Sequence, residues 1–181
     1  MKKMMLLLAS LVALTACSQS KQDTKESTSN QTTKETKVSE SSKEEKGLKF
    51  VVAPQYEGKT SELIELGKKL VKEHPELGSE GNMALYFTGA ISEGRAALML
   101  VNKTDVDIKK DLNFSISWSY DGKTIFDNQK VSYFIKDSGE LPSHSATLIL
   151  LPLNEEQQRI VDGMSDPSKM KLQLSDMMFA E

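Results

Sequence analysis

Leu112-Asn113-Phe114-Ser115-Ile116-Ser117-Trp118-Ser119-Tyr120 places a large apolar side chain at every even position and Asn or Ser at every odd one. Successive side chains of a strand point to opposite faces, so a period of two predicts one face on a core and the other in water. Asp121-Gly122 follows at once. That pair is favoured in a two-residue type I′ hairpin, where both central residues take positive φ. The turn predicts Trp118 across from Ile125 on the core face, with Val131, Tyr133 and Ile135 continuing the alternation on the return strand.

Outward from this hairpin the chain stays strand-rich. Arg95 to Val101 is continuously apolar after its first residue, as expected of a central strand buried on both sides. Ala84-Leu85-Tyr86-Phe87-Thr88 predicts another strand, and Thr147 to Leu153 a further buried one. Lys49-Phe50-Val51-Val52-Ala53 predicts a first strand stopped by Pro54, and Lys171 to Leu174 a last one. Ser61 to Glu73 has helical spacing instead. Leu63, Leu66 and Leu70 form a stripe, with Ile64 and Val71 on the adjacent row. Thr60 or Ser61 caps it, Glu62 and Glu65 suit the dipole of the first turn, and Pro75 ends it. Asn154 is placed to cap a short helix through Asp162, with Gly163 beyond its end. Seven or eight short strands between Gly, Asp and Pro turns predict a mainly β fold, an Ig-like antiparallel β-sandwich. One N-terminal amphipathic helix would close an end or cover an edge, and a short C-terminal helix would follow. No disulfide supports it, because Cys17 is the only cysteine.

The formal charge of −3, with Lys interleaved among Asp and Glu, excludes a basic surface of the kind that binds nucleic acid. The amino terminus carries a sharper signal. Lys2 and Lys3 precede the apolar run Met4 to Leu14. That run is about 16 Å long as a helix, well short of the ~20 residues that span a bilayer. It fits the apolar segment of a signal peptide. Leu14-Thr15-Ala16-Cys17 then resembles the bacterial lipobox. The resemblance implies acylation of the Cys17 thiol, cleavage just before it, and a stable two-chain membrane anchor on the outer face of the cell membrane. Residues 18–46 hold six Lys, six acidic residues and one apolar side chain, Val38. Such a segment cannot offset the entropy of ordering, so a disordered tether is expected, with a root-mean-square reach of about 30 Å. The expected organisation is a signal peptide over 1–16, the acylated Cys17 and tether over 17–46, and a β-sandwich domain over 47–181.

Val101-Asn102-Lys103-Thr104, Leu112, Phe114, Asp121-Gly122-Lys123 and Leu141-Pro142-Ser143-His144-Ser145 together resemble the SLAP domain of Firmicutes envelope proteins. The likeness spans residues 101–152. The aromatic Pro-Trp pair associated with that family's final strand has no counterpart. The resemblance implies an Ig-like module at the cell surface, linked to envelope assembly or export, and brings no catalytic residues with it.

Candidate chemistry is sparse. His74 precedes Pro75 at a helix end, where a protonated ring suits the dipole. His144 lies between Ser143 and Ser145, but neighbours on an extended chain point apart, so a Ser143–His144 hydrogen bond is not expected. Asp105, Asp107 and Asp111 are interrupted by Lys109 and Lys110 and lack the spacing of a calcium loop. The methionines, Met177-Met178 included, read as core filling rather than a copper array. Ser92-Glu93-Gly94-Arg95 reads as a turn. Glu155 and Glu156, being adjacent, do not face one cleft as paired glycosidase carboxylates do. Neither a catalytic residue, a metal nor a cofactor is expected. The expected function is a membrane-anchored, non-enzymatic binding module whose partner is an envelope protein or wall component. The alternative is a small solute- or substrate-binding lipoprotein of a transport system.

Overall fold

The alternating stretch forms the middle strand of a three-stranded sheet. A computed structural model describes residues 47–180. Its strands are β1 (Lys49–Phe50), β2 (Met83–Ser92), β3 (Arg95–Asn102), β4 (Leu112–Tyr120), β5 (Lys123–Tyr133), β6 (Ser145–Pro152) and β7 (Met170–Phe179). Its α-helices are α1 (Glu62–Glu73), α2 (Ile135–Ser138) and α3 (Glu155–Asp162). The strands make two sheets, ordered β1-β6-β3-β2 and β5-β4-β7. The expected signal peptide, lipobox and tether lie outside the described residues.

Between the sheets, Leu112, Phe114, Ile116 and Trp118 of β4 meet Ala96, Leu98 and Leu100 of β3 in one core. Trp118 lies 5.0 Å from the Phe87 ring and 5.9 Å from the Phe126 ring, centroid to centroid. Met99 and Val101, on the other face of β3, join Leu48, Val71 and Ala146 in a second core. This explains the continuous apolar run of β3: each of its faces has a cover. The second cover is α1, which packs against β1, β6 and β2. The helix therefore lies over a sheet face and neither closes an end nor covers an edge. An amphipathic helix buries its stripe where most apolar surface awaits it, and the outward leucines and methionine of β3 and β6 supply that surface.

Helix α1 forms where its sequence predicts. Ser61 accepts a hydrogen bond from the Ile64 amide at 3.2 Å, and His74 is the residue at the C-cap. Its deepest row is Ile64, Gly67 and Val71. A Cβ at Gly67 would overlap the Phe50 ring, so this glycine sets how closely the helix approaches β1. Helix α3 carries a full capping box between Asn154 and Gln157. Gly163 follows it in the right-handed region at φ −84°, not as a left-handed cap.

Several expected details change. Asp121 and Gly122 do turn the hairpin, with φ of 49° and 78°. Trp118, however, pairs with Phe126 instead of Ile125, because the register shifts on either side of it. Extra residues in β5 bend the strand and let both Ile125 and Phe126 reach the core. Ile135 leaves the strand to begin α2. Strand β1 covers only Lys49–Phe50 and runs parallel to β6, so that sheet is mixed rather than antiparallel. Strand β7 reaches Phe179, past a register shift beside Asp176, whose φ is 52°.

Candidate functional site

One end of the domain gathers the loop before β2, the β3–β4 loop, the α2–β6 segment and the end of β7. Asn102, fully buried, ties the β3–β4 loop to the α2–β6 segment. Its side-chain amide donates to the carbonyls of Val106 at 2.9 Å, Leu141 at 3.1 Å and Pro142 at 3.1 Å. Its Oδ1 accepts from the amide and the hydroxyl of Thr104. A buried amide with every capacity used fixes a loop conformation tightly, because losing it strands several polar groups at once.

The aspartates act in the same way. Asp107 Oδ1 accepts from the Ser143 amide at 2.9 Å, which with Lys109 holds its carboxyl below the usual range. Asp111 Oδ1 accepts from the Ile135 amide at 2.8 Å, and its carbonyl accepts from the Ala180 amide at 2.8 Å. Asp105 is exposed. The three carboxylates thus serve separate segments and do not converge.

Ser143 and His144 overturn the sequence expectation. His144 takes a φ of 54°, and this left-handed turn swings the ring toward its neighbour: Ser143 Oγ and His144 Nδ1 are 2.7 Å apart. Nε2 lies 3.0 Å from Glu80 Oε2. Lys103 Nζ reaches the other Glu80 oxygen at 3.2 Å. Glu80 is 71% exposed, whereas the Lys103 side chain is only 10% exposed. The hydrogen bond to His144, and then that to Lys103, hold the Glu80 carboxyl below its usual range. The chain of contacts resembles a nucleophilic triad in composition but not in polarity. Ser143 Oγ also lies 2.7 Å from the Thr104 carbonyl. With its single proton donated there, the hydroxyl can only accept from Nδ1, so the imidazole is not a base for it. What the arrangement does is tie the loop before β2 to the other two.

A second serine cluster crosses the outer face of the three-stranded sheet. Ser115 Oγ lies 2.7 Å from Lys130 Nζ and 2.9 Å from Asp176 Oδ2, and hydrogen bonds from Ser115 and then from Lys130 hold the Asp176 carboxyl below its usual range. Ser115 is fully covered, so its oxygen is closed to a substrate.

Apolar exposure is concentrated at the same loop end. Of the six large apolar residues exposed among the described residues, five are Val106, Phe134, Met177, Met178 and Phe179; the sixth is Tyr56. Phe134 and Phe179 each precede a residue whose amide bonds to Asp111. Met177 and Met178 are therefore not core filling: Met178 is 65% exposed. Alternation fails after Ser175, and that break is the only sequence signal for their exposure. The other candidates stay apart. His74 is exposed beside Glu76 at 3.1 Å, and Glu155 and Glu156 sit in the first turn of α3. Glu93 and Gly94 make the β2–β3 turn, with Arg95 paired to Glu93. Leu14, Thr15, Ala16 and Cys17 lie outside the described residues.

Among the described residues, no group of three His, Cys, Asp or Glu is arranged to hold a metal, and no helix is long and apolar enough to cross a membrane. No family model matches the chain, and neither a curated protein nor a solved structure was found similar to it.

Proposed function

We propose that this chain is an exported lipoprotein, acylated at Cys17, whose domain binds an envelope protein through its loop end without chemistry of its own. The anchoring half of this reading rests on Lys2, Lys3, the Met4–Leu14 run and Leu14-Thr15-Ala16-Cys17. The binding half rests on one observation. Five exposed large apolar side chains share an end whose loops are cross-linked through Asn102, Asp107 and Asp111. Clustered apolar exposure marks interaction surfaces, and a locked scaffold lowers the ordering cost of using one. The fold is read as Ig-like. Two of the segments that carry the SLAP resemblance, 101–104 and 141–145, meet at Asn102, which supports treating them as one unit.

The test is photo-crosslinking in intact cells, with a benzophenone amino acid in place of Phe134 and, separately, of Lys123, exposed beside the hairpin turn at the opposite end of β5. One reproducible protein adduct from position 134 that is absent from position 123 is the expected outcome. No adduct, or the same adducts from both, overturns the binding half. The anchoring half is tested separately by Cys17→Ser, which should abolish the acyl mass increment and release the protein from the membrane fraction.

A further inference from the structure

We infer that the groove beneath the amino-terminal half of α1 binds a small apolar carboxylic acid, with Arg95 taking the carboxylate. This goes beyond the envelope-partner reading and does not depend on Cys17.

Helix α1 docks unevenly. Toward its carboxyl end, Leu70 and Val71 close onto Met99, Val101 and Ala146. Toward its amino end it stands off the sheet, leaving about 240 Å³ between Leu63, Ile64, Phe50, Ala53, Leu148 and Leu150. The gap is built in. The Phe50 ring occupies the place a Cβ would take at Gly67, so it props the helix where the gap opens. Tilting the helix down would drive its backbone into that ring. Leu148 and Leu150 remain only half-buried, and an apolar ligand would cover them. A cavity of ~150 Å³ takes a benzene ring, so this space suits a ligand of roughly ten heavy atoms.

The charged residues lining the groove are Arg95 and Glu93. Register puts Arg95 on the outer face of β3 with Ala97 and Met99, which pair with Leu150 and Leu148. Successive residues on one face are about 7 Å apart. The guanidinium therefore stands one step beyond the leucine floor, with a head-and-tail spacing that fits an amphipathic acid lying along β6. Arg95 spends one nitrogen on Glu93, which is 79% exposed on a turn. A guanidinium has five N–H donors in a fork matched to a carboxylate, so an incoming acid can share or displace Glu93.

The experiment is an NMR titration of the full chain carrying Cys17→Ser, using octanoate, octanol and octylammonium as probes. Octanoate should shift the methyl signals of Ile64, Leu148 and Leu150. Octanol and octylammonium should bind roughly tenfold more weakly. Arg95→Gln should remove the advantage of octanoate and leave octanol unchanged. Glu93→Gln should strengthen octanoate about threefold by freeing the fork. Opposite signs at two neighbouring surface residues are not expected from lost folding. The inference is overturned if octanoate leaves those methyls unmoved, if octanol binds as tightly, or if the shifts centre on Phe134 and Met178.

Discussion

Strands β3 and β4 face each other across one core, yet their sequences follow different rules. From Ala96 to Val101, β3 has no polar residue and no exposed one. In β4, Leu112, Phe114, Ile116 and Trp118 are buried, and Asn or Ser falls between each pair. The strands are alike in pairing, since each lies between two neighbours. They differ in cover: α1 lies over the outer face of one sheet, whereas the outer face of the other carries polar side chains, with Lys130 and Asp176 reaching over Ser115. The pattern of a strand thus records how many of its faces are covered, and a two-sided apolar run announces a second layer before that layer is identified.

The sharpest way to break this comparison is to truncate an outward residue in each strand. Met99→Ala should destabilise the domain by about 2–4 kcal/mol, comparable to Leu98→Ala on the opposite face. Ser117→Ala, the corresponding outward change in β4, should stay within about 0.5 kcal/mol. Urea denaturation followed by circular dichroism measures all three. A near-neutral Met99→Ala would mean that α1 is not a tight cover. Next in size is Gly67→Ala. Helix propensity alone would favour it by about 1 kcal/mol. Its clash with Phe50 should outweigh that and leave a net loss of about 1–2 kcal/mol. A gain in stability would show that the ring is not pinned, and the helix-to-sheet distance would need another cause.

The smallest effect at neutral pH separates the two ends of the β4–β5 hairpin. Burial pushes Tyr133 up to about 12. The amides of Ser165 and Asp166 donate to the Tyr120 oxygen at 3.1 Å each and hold its phenol below the usual value. Tyr120 should therefore ionise first when ring-carbon shifts are followed by NMR. The folded state favours the neutral Tyr133 phenol. Its contribution is intact below pH 10, the unfolded value, and is lost as pH rises from there toward 12. A Tyr133 that titrates with or before Tyr120 would contradict its burial.

Much of this was legible where periodicity and turn chemistry agree. The β4 alternation, the Asp121-Gly122 turn, the Ser61 cap and the two-sided β3 run all rest on local rules, and the fold keeps them. What stayed hidden depends on single backbone choices without a residue signature. Asn128, at φ 50°, lies where the β5 register slips and Trp118 meets Phe126. His144, at φ 54°, brings its ring to Ser143, which the extended-chain assumption forbade. The position of α1 was misread because amphipathicity says which side of a helix is buried but not against what. Gly67, which lies outside the stripe of Leu63, Leu66 and Leu70, is where the helix backbone contacts the Phe50 ring. The groove follows from that contact and from no motif.

Strand β1 has a mechanical consequence. It is two residues long, and it is where the described chain joins the sheet. The Lys49 amide bonds to the His144 carbonyl, the Val51 amide to the Ala146 carbonyl, and the Thr147 hydroxyl to the Val51 carbonyl. A pull along the axis of β1 runs across these three links and strains them together instead of opening them in turn. Tension arriving through the residues before Gly47 would therefore meet a small clamp first. Its release would expose Phe50, free α1 from its prop and leave the antiparallel pairs of both sheets standing.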